Sequence, residues 1–313
     1  MSSAGVSLKA GIDAKSKKRI ELGYRGQQRI WMIVRMAILT AMVIFALFPV
    51  VWIVSASFNP KQSMVSQTLI PQGVENAEQL LRNYNTLLNT PRYPFWRWVA
   101  NSVFIAAVTS FGTVMLCALS AYSFSRFRFW GRSNLLVFLL LVQVFPNILA
   151  VVAIYLILQQ IGTHIPFIGL NTAGGLILVY LGGAMGVNIW LMKGFFDTVP
   201  RDIDESALVD GANHWQTYWL LIFPLVRPIL VVVGILAFVG TFNEFALARV
   251  ILRDNESWTL MVGLYTNFVS NNFGQNWGIY AAGSVLGSLP TLIIYLLLQD
   301  QIVGGLTQGA VKG

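Results

Sequence analysis

Six long stretches of apolar residues, separated by polar connections, dominate the pattern of the chain. They cover residues 34–58, 99–124, 135–160, 173–196, 224–248 and 279–303. Each is longer than the roughly 20 residues that a helix needs to cross the hydrocarbon core of a bilayer. Apolar side chains occur all round these stretches, as burial in lipid and in a helix bundle requires. The pattern predicts an all-α membrane protein with about six transmembrane helices.

The composition supports a membrane protein over a soluble one. The chain has 313 residues, of which 56% are hydrophobic and only 11% charged, and its mean hydropathy is +0.64. A soluble domain carries about a quarter charged residues. A soluble fold of this composition would lack the polar surface that water requires. The bilayer is therefore the expected solvent and a partner in its own right.

Lysine and arginine residues favour one orientation in the membrane. They are concentrated in the leader, residues 1–33, and recur in the short connection around Arg126. The positive-inside rule then places both termini in the cytoplasm, including the tail, residues 304–313. The net charge of +8 is explained by this distribution, because a basic cluster before a first span is typical of a cytoplasmic anchor. No nucleic-acid partner is expected.

Small residues and prolines mark particular places within the spans. Gly182 with Gly186, and Gly283 with Gly287, stand four apart. This spacing lets two helix backbones approach closely, so these glycines are expected to pack within the bundle. Pro146 is expected to bend or break the third span.

The connection between the fourth and fifth spans, residues 197–223, carries the most information. An acidic run at 202–205 suits a helix amino terminus, through the helix dipole. Gly211 is placed to end this helix, and Pro224 and Pro228 hinder continuation of the segment that follows. Three residues at helical spacing give the short helix an apolar face: Ile203, Ala207 and Leu208.

The same pattern fits two structural roles. A short rigid helix with a glycine joint is suited to docking into a cleft of a cytoplasmic partner. It also fits an ordinary helix-turn-helix that lies at the membrane surface and links two spans. The physical pattern alone leaves both interpretations open.

A resemblance to a known family decides between these roles. The pattern Glu205-Ser206-Ala207, three residues, Gly211, nine residues and Leu221-Ile222-Phe223-Pro224 resembles the EAA loop of bacterial ABC importer permeases. In that family the pattern is Glu-Ala-Ala, three residues, Gly, nine residues and Ile-x-Leu-Pro. The chain departs from it by mild replacements at Ser206, Leu221 and Phe223. We call residues 197–223 the coupling loop.

The resemblance extends along nearly the whole chain. It is closest to the smaller membrane subunit of the maltose/maltodextrin type of sugar permease. The similar segments are residues 48–52, 55–60, 121–127, 143–146, 169–172, 193–197 and 305–313.

The resemblance implies a function and a set of partners. The expected fold is that of a type I ABC importer permease, with a transmembrane domain at 34–303 in the bacterial cytoplasmic (inner) membrane. The expected partners are a second, homologous permease subunit, a dimer of ABC ATPase subunits and an extracytoplasmic sugar-binding protein. No cofactor is expected in this chain, because ATP and Mg belong to the partner ATPases. The chain is expected to couple closure of these ATPases to alternating access.

The same resemblance assigns residues to these contacts. In the coupling loop, the ATPase-docking residues are Asp204, Glu205, Ser206, Ala207, Asp210, Gly211 and Pro224. In the tail, the residues expected to reach the ATPase dimer are Gln308, Gly309 and Lys312. The loop expected to face the binding protein comprises Asn271, Asn272, Phe273, Gly274, Gln275, Asn276 and Trp277. Its amides and aromatic rings suit contacts with sugars, although a plain polar connector would have the same composition.

Polar residues within the spans are candidates for the transport pathway, because polar groups facing lipid are costly. Each could equally form a hydrogen bond between helices. In the maltose-type family the larger partner subunit supplies most sugar contacts, so no substrate site is assigned to this chain. The candidates are Gln143, Asn147, Asn188, Asn243 and Glu244.

Three rival functions make different demands on the sequence. A self-sufficient secondary transporter needs charges within the membrane for ion coupling, and Glu244 is the obvious acidic candidate. A membrane enzyme lacks support, since the sequence has no H-E-x-x-H, G-x-S-x-G or phosphate-binding G-x-x-x-x-G-K-[ST] motif, and no catalytic or metal site is predicted. The third rival keeps the ABC class and changes the cargo to another sugar or glycerol phosphate.

Overall fold

The computed structural model describes residues 4–63, 67–144, 147–270 and 276–310. Within these ranges, side chains are described except at residues 4–25, 27, 147, 148 and 302–310. All regular secondary structure in this part of the chain is helical. The chain divides into two compact units, Met1–Ser55 and Ala56–Gly313.

The first unit contains helix α1 as far as Ser55; the whole helix spans Ala4–Phe58. Its part Gln28–Phe58 is apolar and long enough to cross a membrane, and it includes the predicted span 34–58. Most of its apolar side chains are exposed, as for Ile33 and Phe45. An unbroken apolar helix surface of this length suits contact with lipid tails or with other apolar helices.

The second unit is a bundle of helices of very different lengths. The first long connection contains α2 (Ala77–Leu80) and α3 (Arg82–Asn89). The bundle continues with α4 (Phe95–Arg126), α5 (Arg132–Val144), a 3-10 turn (Asn147–Ala150), α6 (Val151–His164), a second 3-10 turn (Pro166–Ile168) and α7 (Ala173–Phe196). Next comes α8 (Asp202–Val209), followed by a continuous run of α9 (His214–Gln216), a π-helix (Thr217–Ile222) and α10 (Phe223–Leu225). The unit ends with α11 (Arg227–Phe242), α12 (Ala246–Ile251), α13 (Leu260–Phe268) and α14 (Trp277–Ala310).

Four helical segments of the described chain are long and apolar enough to cross a membrane: Gln28–Phe58, Phe95–Arg126, Ala173–Phe196 and Trp277–Gln301. A fifth crossing results if His214–Leu225 and Arg227–Phe242, which meet at an angle of 76°, count as one span. The prediction of an all-α membrane protein is thus confirmed. The cytoplasmic placement of both termini stays a prediction.

Two of the six predicted spans differ from the structure. The predicted span 135–160 is not one helix, because α5 ends at Val144 and α6 begins at Val151, with a 3-10 turn before α6. Pro146, at this break, lies outside the described residues. The predicted span 224–248 is also divided. Its continuous helix, α11, ends at Phe242, and the separate helix α12 follows.

Three long helices form the main core of the second unit. Cys117 of α4, Met192 of α7 and Val233 of α11 are fully buried in one apolar cluster. At the opposite end of α4 from the coupling loop, Trp98 is buried in a second cluster and donates a hydrogen bond from Nε1 to the Asn255 carbonyl oxygen at 2.8 Å. Helix α4 therefore runs through both clusters and connects the two ends of the bundle.

The glycine pairs pack in different ways. A Cβ atom at Gly186 would lie 2.5 Å from the backbone oxygen of Leu139, so α7 and α5 approach each other at this point with no room for a side chain. A Cβ atom at Gly182, one turn earlier, would meet no atom within 4 Å. At Gly283 and Gly287 a Cβ atom would meet the tip of a leucine side chain on α13.

The two glycines of α7 allow a matched test of helix packing. We expect Gly186→Ala to destabilise the protein by about 1–3 kcal/mol, since a rigid backbone oxygen must move. We expect Gly182→Ala to leave stability nearly unchanged. Thermal unfolding of the two purified variants in detergent checks this, and equal midpoints would show that α5 and α7 do not pack as described.

Candidate functional site

The coupling loop contains the short helix that the sequence predicts. Helix α8 begins at Asp202 and carries Asp204 and Glu205 in its first turn. There the positive end of the helix dipole stabilises the negative charges of the carboxylates. The helix ends at Val209. With only eight residues, this helix is too short to be stable alone, so its position depends on the contacts it makes with the bundle.

Gly211 ends α8 through its backbone conformation. Its φ angle is +86°, in the left-handed region that favours glycine. The Gly211 N–H donates to the Leu208 carbonyl oxygen at 3.1 Å, and the Ala212 N–H donates to the Ala207 oxygen at 2.9 Å. These two bonds form the Schellman motif that closes many helices. No atom lies within 4 Å of the place where a Cβ would stand, so the backbone angle alone requires glycine here.

A second helical segment starts directly after this turn. Asn213 caps it, because its side chain accepts a hydrogen bond from the Gln216 N–H while the Gln216 side chain accepts one from the Asn213 N–H. The segment continues as a π-helix and ends at Leu225, just past Pro224. Pro228 lies in the first turn of α11, where its missing N–H costs nothing. The two prolines thus flank the 76° bend between these helices.

The side chains of α8 divide into an outward and an inward face. Glu205, Ser206 and Val209 are exposed, and they line a shallow pocket together with Asp202 and Asp210. Ala207 is buried against the bundle, and Ile203 packs on its core.

The apolar face of α8 is narrower than the sequence predicts. Leu208 was expected on it, but its side chain is 44% exposed. Residues four apart share a helix face, whereas Leu208 lies about a quarter turn beyond Ala207. Leu208 and Val209 therefore add apolar area to the outward surface of α8.

Asp204, expected from the sequence as an ATPase-docking residue, turns its side chain toward α4 instead of outward, in a contact that the sequence did not reveal. Its carboxylate Oδ2 lies 2.9 Å from Nε of Arg126, the last residue of α4, and the two side chains are only 15% and 7% exposed. In the sequence, Arg126 indicates only the orientation of the chain in the membrane. A contact between residues so far apart along the chain leaves no local pattern that could predict it.

The other predicted contact segments are described only in part. Of the loop expected to face a binding protein, Asn271 to Gln275 lie outside the described residues. The Trp277 N–H donates to the Gln62 carbonyl oxygen at 2.8 Å, so the start of α14 is tied to the first long connection. In the tail, Gln308 and Gly309 lie in α14, where only their backbone is described. Lys312 lies outside the described residues.

Two of the predicted pathway residues line one cavity. It has a volume of about 590 Å³ and lies among α4, α6, α7 and α11. Its wall is mostly apolar, with Asn188 and Glu244 among its few polar groups. Other polar side chains on this wall are Thr113, Tyr180 and Thr241.

The pathway candidates also make structural hydrogen bonds. Glu244 accepts bonds from the N–H groups of Leu247 and Ala248 at 2.9 and 3.0 Å, so it caps α12, and it accepts another from the hydroxyl of Tyr180. Gln143 of α5 donates to the Gly183 carbonyl oxygen of α7 at 2.7 Å.

The asparagines among the candidates turn back on their own helices. Asn188 and Asn243 each donate to the carbonyl oxygen four residues earlier in the same helix, at 2.7 and 2.9 Å. The side chain of Asn147 lies outside the described residues. Among the described candidates, Asn188 therefore combines a place on the cavity wall with the fewest structural bonds.

Residues 114–304 match the family model described as "Binding-protein-dependent transport system inner membrane component". The match covers more than half of the chain and includes the whole coupling loop. The chain belongs to this family. It is accordingly an inner membrane permease component, and the resemblance predicted from the coupling loop is confirmed.

Two curated relatives of this permease carry the same description. The maltose/maltodextrin transport system permease protein MalG of Vibrio vulnificus strain YJ016 is 41% identical over 273 residues, which are 85% of this chain and 91% of that protein. MalG of Escherichia coli strain K12 is 38% identical over 273 residues, with the same shares. The predicted likeness to the maltose/maltodextrin type is thus confirmed.

Solved structures share the fold of this permease. A chain of a bacterial ABC transporter that imports the acidic polysaccharide alginate superposes with a TM-score of 0.71 at 24% identity, and the match covers 87% of this chain and 96% of that chain. A chain of the MetNI methionine ABC transporter, in inward-facing conformations, has a TM-score of 0.51 at 16% identity and covers 67% of this chain. At such identities the likeness shows the fold alone.

Proposed function

We propose that this permease imports maltose or maltodextrins as one of two membrane subunits of an ATP-driven ABC importer. The identity of 41% to a maltose/maltodextrin permease, over 85% of this chain, carries the proposal. The other membrane subunit is a homologous permease, and an extracytoplasmic binding protein delivers the sugar. ATP and Mg²⁺ are held by a dimer of ATPase subunits, so hydrolysis takes place outside this chain.

The outward face of α8 is the proposed docking surface for an ATPase subunit. Glu205, Ser206 and Val209 are exposed there, while Ile203 and Ala207 pack against the bundle. A charged group beside an exposed aliphatic one suits a cleft that offers both a polar and an apolar contact. Asp210, Gly211 and Pro224 fix the shape of the loop around this surface, and the tail residues Gln308, Gly309 and Lys312 are proposed as a further ATPase contact.

The remaining segments have proposed places as well. The loop Asn271–Trp277 is proposed to face the binding protein. The cavity of about 590 Å³ is proposed as the part of the transport route that this subunit lines, with Asn188 as its most available amide.

Uptake into proteoliposomes tests the cargo. The complex is purified with this permease, reconstituted with ATP inside and supplied with a maltose-binding protein outside the vesicles. We expect labelled maltose or maltotriose to enter about tenfold or more faster than glycerol phosphate under the same conditions. Faster entry of glycerol phosphate with its own binding protein would assign this permease to another cargo within the ABC class.

Glu244 provides a test against an ion-coupled carrier. Glu244→Gln keeps an oxygen that can cap α12, so we expect ATP-driven uptake at no less than about half the wild-type rate. A carrier that moves protons through this carboxylate would lose uptake in Glu244→Gln. Uptake is measured with and without internal ATP. Wild-type uptake without ATP that is lost in Glu244→Gln at normal expression would favour the carrier.

A further inference from the structure

The short helix α8 has little apolar attachment of its own. Of the residues of α8, all of which are described, Ala207 is buried, and Ile203 is only partly buried against the main core. An eight-residue helix held by so small an area would shift easily against the bundle. Its observed position therefore depends on polar contacts.

These polar contacts come from the last turn of α4, a helix that does not adjoin the coupling loop in sequence. Besides its contact with Asp204, Arg126 donates from Nη2 to the Val199 carbonyl oxygen at 3.0 Å. Arg201 donates from Nη2 to the Ser125 carbonyl oxygen at 3.1 Å. One end of α4 thus holds the start of α8 and the residues that lead into it.

Ser125 continues the same set of contacts toward α7. Its hydroxyl, which is buried, donates to Oδ1 of Asp197 at 2.6 Å, and Lys193 forms an ion pair with the same carboxylate. Burial raises the pKa of Asp197, but the bonds from Lys193 and Ser125 and the charges of Lys193 and Arg132 outweigh this and hold the pKa below its ordinary value. The Asp197 carboxylate is therefore charged at neutral pH and a strong acceptor.

Tyr122, one turn earlier in α4, connects the same contacts to the core. Its hydroxyl lies 3.5 Å from Oδ1 of Asp204. Its ring centroid is 4.9 Å from that of Tyr218 in the π-helix and 6.3 Å from that of Phe196 at the end of α7. A displacement of α8 would thus change the contacts at the point where α4, α7 and the π-helix meet.

We propose that the last turn of α4 is the element through which movement of α8 enters the transmembrane bundle, and that the Arg126–Asp204 ion pair is the positioning contact between them. The proposal rests on the proposed function, since it takes α8 to be the ATPase-docking helix. A buried ion pair contributes little net stability, because both charges lose their hydration. Its effect here is to fix the place and direction of α8 relative to α4.

The proposal predicts uncoupling rather than loss of assembly. In Asp204→Asn and Arg126→Gln complexes, the ATPase subunits should still copurify. The number of sugar molecules imported per ATP hydrolysed should fall about tenfold, as for a lost coupling contact. In the double variant the ratio should fall no further than in the worse single variant, because both changes remove the same contact.

Two further variants control for other causes. Glu78→Gln removes an exposed carboxylate from the first turn of another short helix, α2, and should leave the ratio unchanged. Arg126→Lys keeps the charge and should retain most of the coupling. Normal ratios in both neutral single variants, or losses that multiply in the double variant, would overturn the proposal. Loss of the ATPase subunits from the Asp204→Asn complex would also overturn it, since Asp204 would then be a docking residue.

Hydrogen exchange keeps this test separate from the proposed function. In the purified permease, Asp204→Asn should speed exchange at the amides of α8 and leave those in the middle of α7 unchanged. This result is expected whether or not the wild-type complex transports sugar. Unchanged exchange in α8 would show that the ion pair does not hold the helix. Absence of ATP-driven import by the wild-type complex would contradict only the proposed function.

Discussion

Gly211→Pro is expected to abolish ATP-driven import while the subunit is still inserted in the membrane. Proline holds φ near −65°, whereas Gly211 has φ +86° and donates its N–H to Leu208. The variant therefore loses both the turn after α8 and the hydrogen bond that closes the helix. No atom lies within 4 Å of the place where a Cβ would stand at Gly211, so the substitution acts through the backbone of this turn. Uptake by cells and the amount of permease in their membranes are the two measurements.

Gly73→Pro is the matched control for this variant. Gly73 also has a positive φ, +74°, with no atom within 4 Å of a Cβ position, but it lies in the first long connection. If both variants lose import to the same extent, backbone strain in any loop is sufficient to stop import. The coupling loop would then have no special role. Normal import by Gly211→Pro at normal membrane levels would contradict the docking assignment directly.

Glu205→Lys is expected to stop import by preventing productive contact with the ATPase. Glu205 is exposed in the first turn of α8. Its replacement therefore weakens the favourable interaction with the helix dipole by only about 1 kcal/mol and does not unfold the protein. The reversed charge instead faces the proposed docking cleft. We expect the ATPase subunits to be lost on copurification, and Glu205→Gln to have a smaller effect.

Glu78→Lys makes the same change of charge elsewhere. Glu78 is an exposed acid in the first turn of α2, so it reproduces both the charge and the helix position. We expect normal copurification and import. Loss of the ATPase subunits in Glu78→Lys as well would attribute the effect to net charge, and their retention in Glu205→Lys would move the docking surface away from Glu205.

Local patterns predicted the coupling loop well. The acidic first turn, the apolar residues at helical spacing and Gly211 all act within a few residues of one another, and α8 begins and ends where they indicate. Helix α7 has the same bounds as the predicted span 173–196, and the Thr172 side chain caps its start.

Contacts between distant parts of the chain could not be predicted. The apolar run 135–160 continues across the break between α5 and α6, so hydrophobicity alone shows one span where the backbone forms two helices. The end of α11 before α12 depends on capping by Glu244, which Tyr180 holds from α7. The attachment of Asp204 to Arg126 likewise requires two segments to be brought together by the fold.

Gentle affinity purification of the tagged permease from its native membrane distinguishes an ABC importer subunit from a self-sufficient carrier. We expect a second permease subunit and two copies of an ATPase subunit to be recovered with it, and the reconstituted complex to import maltose only with ATP and its binding protein. Recovery of this chain alone, with transport intact after reconstitution and without ATP, would instead identify a self-sufficient carrier.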